Sequence, residues 1–224
     1  MMKEELLKLF SDYLEDVDYL NDEQQVMLMQ LGLESERTIS FWYSCFECMN
    51  NAVEKAEQNE MRLSFYMDEE CHLIWKNQEI VLEYENAREL IARFIDIFEP
   101  IYPLGTVVEL SEDFSKSLKL KNQTYKVKVV IIERFSSTAD KEAYFPYVGT
   151  VYPVGTLGYG RCIQFTSSLI DSVVHAGYQD DMDNAYILLM KKELILDNEA
   201  VSFGFLSKGR MEKYREELGV MTNE

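Results

Sequence analysis

Apolar residues recur at steps of three and four through the first stretch of the chain, at Leu6, Leu7, Phe10, Tyr13, Leu14 and Val17. That spacing predicts an amphipathic helix. A shorter helix is expected over Asp22 to Leu31, with Gly32 placed to end it. From about Glu36, the positions Ile39, Trp42, Cys45, Phe46, Met49, Ala52, Val53 and Ala56 keep the helical period, so a longer third helix is expected. At Met61 the period changes to two. Leu63, Phe65 and Met67 alternate against Arg62, Ser64 and Tyr66, which predicts an antiparallel meander over residues 61–84 with turns at Asp68-Glu69 and Asn77-Gln78. A capped helix from Asn86 then places Leu90, Ile91, Phe94, Ile95 and Phe98 inward until Pro100 stops it.

Beyond Pro100 the pattern is richer in strands. Thr106 to Leu110 and Tyr125 to Ile132 are dense in β-branched residues, and a further pair is expected around Tyr144 to Tyr152 and Arg161 to Phe165. Ser168 with Asp171 three residues on predicts a short helix, Leu169 to Ala176, closed by Gly177. Asp180 to Lys192 reads as an acidic-to-basic helix aligned with its macrodipole, and Lys208 to Leu218 as a last, mostly solvated one. The fold class is α+β. An acidic helical module with a small meander, residues 1–99, precedes an antiparallel-sheet module with two or three C-terminal helices, residues 100–224.

Charge sharpens that division. Residues 1–100 hold 8 Lys/Arg against 23 Asp/Glu, whereas residues 101–224 hold 14 against 17, for a total of −18 in 224 residues. Such an excess repels phosphate backbones and anionic lipid, so neither nucleic acid nor a membrane surface is an expected partner. The acidic amino terminus has no signal-peptide core, and no window approaches the length of a membrane span. The expectation is a cytoplasmic chain with four free thiols, Cys45, Cys48, Cys71 and Cys162.

Catalytic chemistry finds little support. Cys45, Cys48, Cys71 and His72 could supply four zinc ligands, but residues 71 and 72 of a strand point to opposite faces and Cys45 falls on an apolar helical stripe. A redox Cys-x-x-Cys would need a helix start after a strand, and this one falls inside a helix. His175 stands near an expected helix C-terminus, where an imidazole is favourable without any catalytic role. Asp180-Asp181-Met182-Asp183 lacks the Gly and Glu of a calcium loop and is explained by helix capping. Gly155 to Gly160 has neither a Walker ending nor a dinucleotide order and reads as a hairpin connection. No metal, cofactor or enzymatic activity is therefore expected. The stretch containing Tyr144, Tyr147, Tyr152, Tyr159 and Tyr178 is the candidate partner-binding surface, with core aromatics as the default reading of such residues.

Two segments echo one another. Tyr102-Pro103-Leu104-Gly105-Thr106-Val107 and Tyr152-Pro153-Val154-Gly155-Thr156-Leu157 share Tyr-Pro-aliphatic-Gly-Thr-aliphatic, a turn in which Gly takes positive φ and feeds a strand. Together with Tyr144 to Gly155 and Ile170 to Asp180, these blocks carry a Pro-Leu-Gly strand start, a Tyr-Val-Gly-x-x-Tyr-Pro-x-Gly hairpin and an Ile-Asp-x-Val-x-x-x-Gly-Tyr helix end. In this the second module resembles a small Firmicutes family of unknown biochemical function, whose members are encoded beside LXG toxins of type VII secretion. The resemblance covers about residues 100–190. It implies that Pro103, Gly105, Gly149, Pro153, Gly155 and Gly177 are fold residues. It also implies a non-enzymatic accessory or targeting chaperone for an LXG-type toxin, or alternatively an immunity protein against the toxin's C-terminal domain.

Overall fold

A computed structural model describes residues 2–51, 53, 55–58, 60–66, 70–112, 114, 126–156 and 162–217. The fold is α+β, as expected, and divides into two compact units: Met1–Pro100 with Lys191–Asp197, and Ile101–Met190 with Asn198–Glu224.

In the first unit α1 (Met2–Glu15), α2 (Asp22–Leu33) and α3 (Ser35–Asn50) are followed by strands β1 (Lys55–Gln58), β2 (Met61–Tyr66), β3 (Glu70–Trp75) and β4 (Gln78–Glu83), and then α4 (Tyr84–Phe98). Asn21 and Gln24 close a reciprocal capping box at the start of α2, each side chain accepting the other's backbone N–H. Gly32 does not end that helix. It lies inside it, where a Cβ would come within 2.9 Å of the Phe98 ring, so close packing rather than termination requires the glycine. The third helix is shorter than its periodicity predicts. It stops at Asn50, and Ala56 is buried from β1, an added strand that makes the meander four-stranded in the order β1-β2-β3-β4. Leu63 is buried as the alternation expects, together with Met61, Cys71, Leu73, Trp75, Ile80 and Leu82, while the burial of Phe65 and Met67 lies outside what the structure describes. The turn at Asn77 is present, and the one at Asp68-Glu69 lies outside the described residues.

The core of this unit is aromatic. Trp42 stacks on Phe94 with centroids 4.2 Å apart, and Phe10 meets Phe94 and Phe98 edge-on at 5.4 and 5.1 Å. Each such side chain contributes about 1.5–3 kcal/mol through burial. At the end of α4, where helical carbonyls lose their partners, the fully buried Lys191 ammonium donates to Asp96 O, Ile97 O and Glu99 O at 2.8, 2.7 and 2.8 Å. Burial pushes this ammonium down to about 8, against the pull of Glu99 and Asp96, so near neutral pH it keeps three protons for three carbonyls.

The second unit contains β5 (Val107–Leu110), β6 (Lys128–Ser137), β7 (Ala143–Val151), β8 (Ile163–Phe165), β9 (Ile170–His175), α5 (Asp181–Lys191, whose last residue groups with the first unit), β10 (Val201–Ser202) and α6 (Lys208–Glu217). Its sheet runs β10-β7-β6-β5-β9, with β8 also on β7. The described pairings are antiparallel except the two-residue one between β10 and β7. The expected helix over 169–176 is instead strand β9, entered through a single 3-10 turn at Ser167–Leu169. Three β-branched residues, Ile170, Val173 and Val174, and pairing with β5 outweigh the capping pattern that Ser168 and Asp171 offer. Gly105 and Gly155 both take positive φ, +81° and +67°, as the echoed turns require. The first turn feeds β5, whereas the second leaves β7.

Helix α6 is not wholly solvated. Tyr214 is buried with Ala143 and Leu206, and its hydroxyl donates to Asp140. Hydrogen bonds from Tyr214 and then Thr138 hold the Asp140 carboxyl down at about 2, below the ordinary 3.8 of an unfolded chain. This stabilisation is complete above the unfolded value and is lost as pH falls through about 2. Acidification from about pH 4 to pH 2 will therefore release residues 208–214, read as lost amide protection, and Tyr214→Phe will flatten that step. Lys191→Met leaves three helix-end carbonyls without their donor and will lower stability by about 2 kcal/mol in urea denaturation.

Candidate functional site

The turn Pro103 to Thr106 and the end of β9 are joined by one buried hydroxyl. Thr106 Oγ1 donates to Pro103 O at 2.7 Å and accepts the Gly177 N–H at 3.0 Å. The two backbones come so close that a Cβ on Gly177 would stand 2.1 Å from Leu104 O and 2.9 Å from Thr106 N. Only glycine fits there. The contact sets exposed Leu104 beside the segment that leads into Tyr178, which is 80% exposed.

Strand β9 forms one end of the sheet order and, among the described residues, pairs with β5 alone, with register shifts that leave the adjacent Val173 and Val174 both exposed. Helix α5 follows β9 in the chain. Asp180 caps it by accepting the Asp183 N–H at 3.0 Å. Asp183 takes a two-pronged hydrogen bond from buried Arg134 of β6 at 2.6 and 3.2 Å, and the guanidinium lies 5.2 Å from the Tyr186 ring. The helix is thereby held by its polar flank, and Met182, Tyr186 and Leu189, at i, i+4 and i+7, form a stripe open to solvent, with Met182 81% exposed. The exposed apolar side chains of the second unit thus include Leu104, Val173, Val174, Tyr178 and this stripe, together with Ile132, Tyr152 and Val154.

The tyrosines expected to bind a partner separate into two groups. Tyr144 and Tyr147 are buried and cannot present a surface. Tyr147 stacks on Phe165 and Tyr102, and its hydroxyl accepts the Tyr102 N–H at 3.1 Å, while Tyr144 packs near Phe135. Tyr152 and Tyr178 are exposed, and Tyr159 lies outside the described residues. Gly149 sits where a Cβ would meet Val129 at 2.2 Å, and Pro153 follows a cis peptide bond in the turn that Gly155 completes. Met182 and Leu189 were absent from the sequence-derived site, although their spacing opposite Ile187 gave a readable signal.

Cys45 lies near enough to Cys48 and Cys71 for both to add to burial in raising its thiol. Cys71 is buried and His72 points the other way, with Nδ1 2.8 Å from Glu79. Burial pushes the Cys45 thiol up and the Cys71 thiol to about 11, which favours the protonated form over a thiolate. Among the described residues no three His, Cys, Asp or Glu side chains gather as a metal ion requires. His175 closes a strand opposite Val107, so the helix-end explanation for it falls away.

Residues 101–186 match a family described as a domain of unknown function (DUF4176), a stretch lying wholly in the second unit and containing the Thr106–Gly177 contact, β9 and the first part of α5. No curated protein and no solved structure matches the chain.

Gly177→Ala will destabilise the protein by about 2–3 kcal/mol because backbone, not a movable side chain, occupies the Cβ position. Gly155→Ala, which meets nothing within 4 Å and suffers only its positive φ, will cost about 1 kcal/mol. Urea denaturation of the pair checks the order.

Proposed function

We propose that the protein is a non-enzymatic, cytoplasmic binding factor that engages an LXG-type toxin as an accessory or targeting chaperone for type VII secretion. The observation that carries this reading is the solvent exposure of Leu104, Val173, Val174, Tyr178 and Met182, all inside the matched stretch. The resemblance of the Pro-Leu-Gly, Tyr-Val-Gly and Ile-Asp blocks to a family encoded beside such toxins supports the choice of cargo. Exposed Tyr178 and Met182, close in sequence to Asp180 and Asp181, suit cover of a hydrophobic helical face on a client before export. No helix among the described residues is long and apolar enough to cross a membrane, which is compatible with this role.

The immunity reading draws on a different observation, the charge of the first 100 residues, which could complement a basic toxin cleft and make association fast and salt-sensitive. Co-purification with separately expressed toxin halves distinguishes the two. The chaperone reading predicts retention of the N-terminal export half and at least tenfold weaker retention by Tyr178→Ala/Met182→Ala, the scale expected when central interface anchors are truncated. Retention of the C-terminal half instead would establish immunity, and retention of neither would reject the toxin as partner.

A further inference from the structure

Helix α2 is apolar on two sides. Met27, Leu28 and Leu31 are buried against the core, while Val26, Met29 and Leu33 lie on the opposite face with Val26 57% and Leu33 54% exposed. Advancing 100° per residue, Asp22, Val26, Met29 and Leu33 fall within one narrow stripe, and buried Met27, Leu28 and Leu31 fall across from it. With Leu7 of α1 this stripe lines an open groove of about 430 Å³, whose polar lining includes Asp22 and Gln30.

We propose that the α1–α2 groove docks a cationic amphipathic helix of a partner protein. From Val26 to Leu33 the apolar floor runs about 10 Å, two helical turns, which matches an i, i+4, i+7 set on the incoming helix. Charge selects the sign of the occupant. Asp22 is the charged residue of the lining, and residues 1–36 as a whole hold ten Asp/Glu against two Lys, with Lys3 and Glu4 both one turn before Leu7. A second copy of this chain would bring the same negative field to the groove, and nucleic acid or anionic lipid would be repelled likewise. Lysines or arginines flanking an apolar stripe are attracted by this acidic excess while that stripe covers Val26, Met29 and Leu33. The groove lies in the first unit and outside the family match, so its failure would leave the toxin-binding surface of the second unit untouched.

The test uses the full chain and a fluorescent Leu/Lys amphipathic peptide of about five turns, a sequence-scrambled peptide of the same composition, and a Leu/Glu counterpart. Anisotropy should show binding of the first at low salt. Binding should be at least tenfold weaker for the scrambled and acidic peptides and for Val26→Asn/Leu33→Asn, a change confined to exposed positions. It should also weaken as salt screens that attraction. In the wild-type chain the Met29 methyl resonance should shift on titration, a readout that stands if the double variant folds poorly. Equal binding of the scrambled peptide, unchanged affinity in the variant, or a silent Met29 methyl would overturn the proposal. So would concentration-dependent dimerisation that Val26→Asn/Leu33→Asn abolishes.

Discussion

The backbone at Gly177 approaches Leu104 and Thr106 more closely than any side chain would allow, and the second unit's surface follows from that contact. The Thr106 hydroxyl serves both sides at once, donating to Pro103 O and accepting the Gly177 amide, so the turn before β5 and the exit of β9 are held by one satisfied polar group. With that exit fixed, the chain emerges with Tyr178 in solvent and enters α5 through the Asp180 cap. The buried Arg134–Asp183 pair then sets the rotation of α5 and leaves Met182, Tyr186 and Leu189 outward. The glycine and the hydroxyl spend their chemistry on geometry, and the apolar side chains they display are available to a partner.

The first unit solves a different problem, a heavily acidic chain that must still close a core. It does so with rings, Trp42 on Phe94 and Phe10 against Phe94 and Phe98, and places its acids largely outside. Its fully buried Lys191 ammonium is satisfied by three backbone carbonyls at the end of α4, with Glu99 and Asp96 adding charge compensation. That arrangement satisfies the helix end and the ammonium together.

Local periodicity made much of this legible. The helices of the first unit, the β2–β4 meander, the stop at Pro100 and the strand character of 107–110 and 143–151 were all readable from spacing and β-branching. Where reading failed, two local grammars competed. Ser168, Asp171 and Gly177 spell a capped helix, yet the same stretch holds Ile170, Val173 and Val174 and has β5 waiting to pair with it, and Gly177 is needed for a contact 71 residues away in sequence rather than for a helix end. Asn50 ends α3 although the apolar period runs on to Ala56, because β1 offers Ala56 burial in a sheet. The site was half legible. Tyr178 stood out by composition, whereas the burial of Tyr144 and Tyr147 depends on Phe135, Phe165 and Tyr102, partners that no local pattern reveals. The Lys191 contact, 92 to 95 residues long-range, had no sequence signal beyond a lysine at a helix end.

The central claim is that the surface held by Gly177, and not the acidic first unit, receives the cargo. Hydrogen–deuterium exchange of the chain, alone and saturated with the N-terminal half of an LXG-type toxin, the proposed cargo, measures this directly. The account predicts new protection concentrated in residues 170–189. Protection confined to residues 1–50, with 170–189 unchanged, would contradict it.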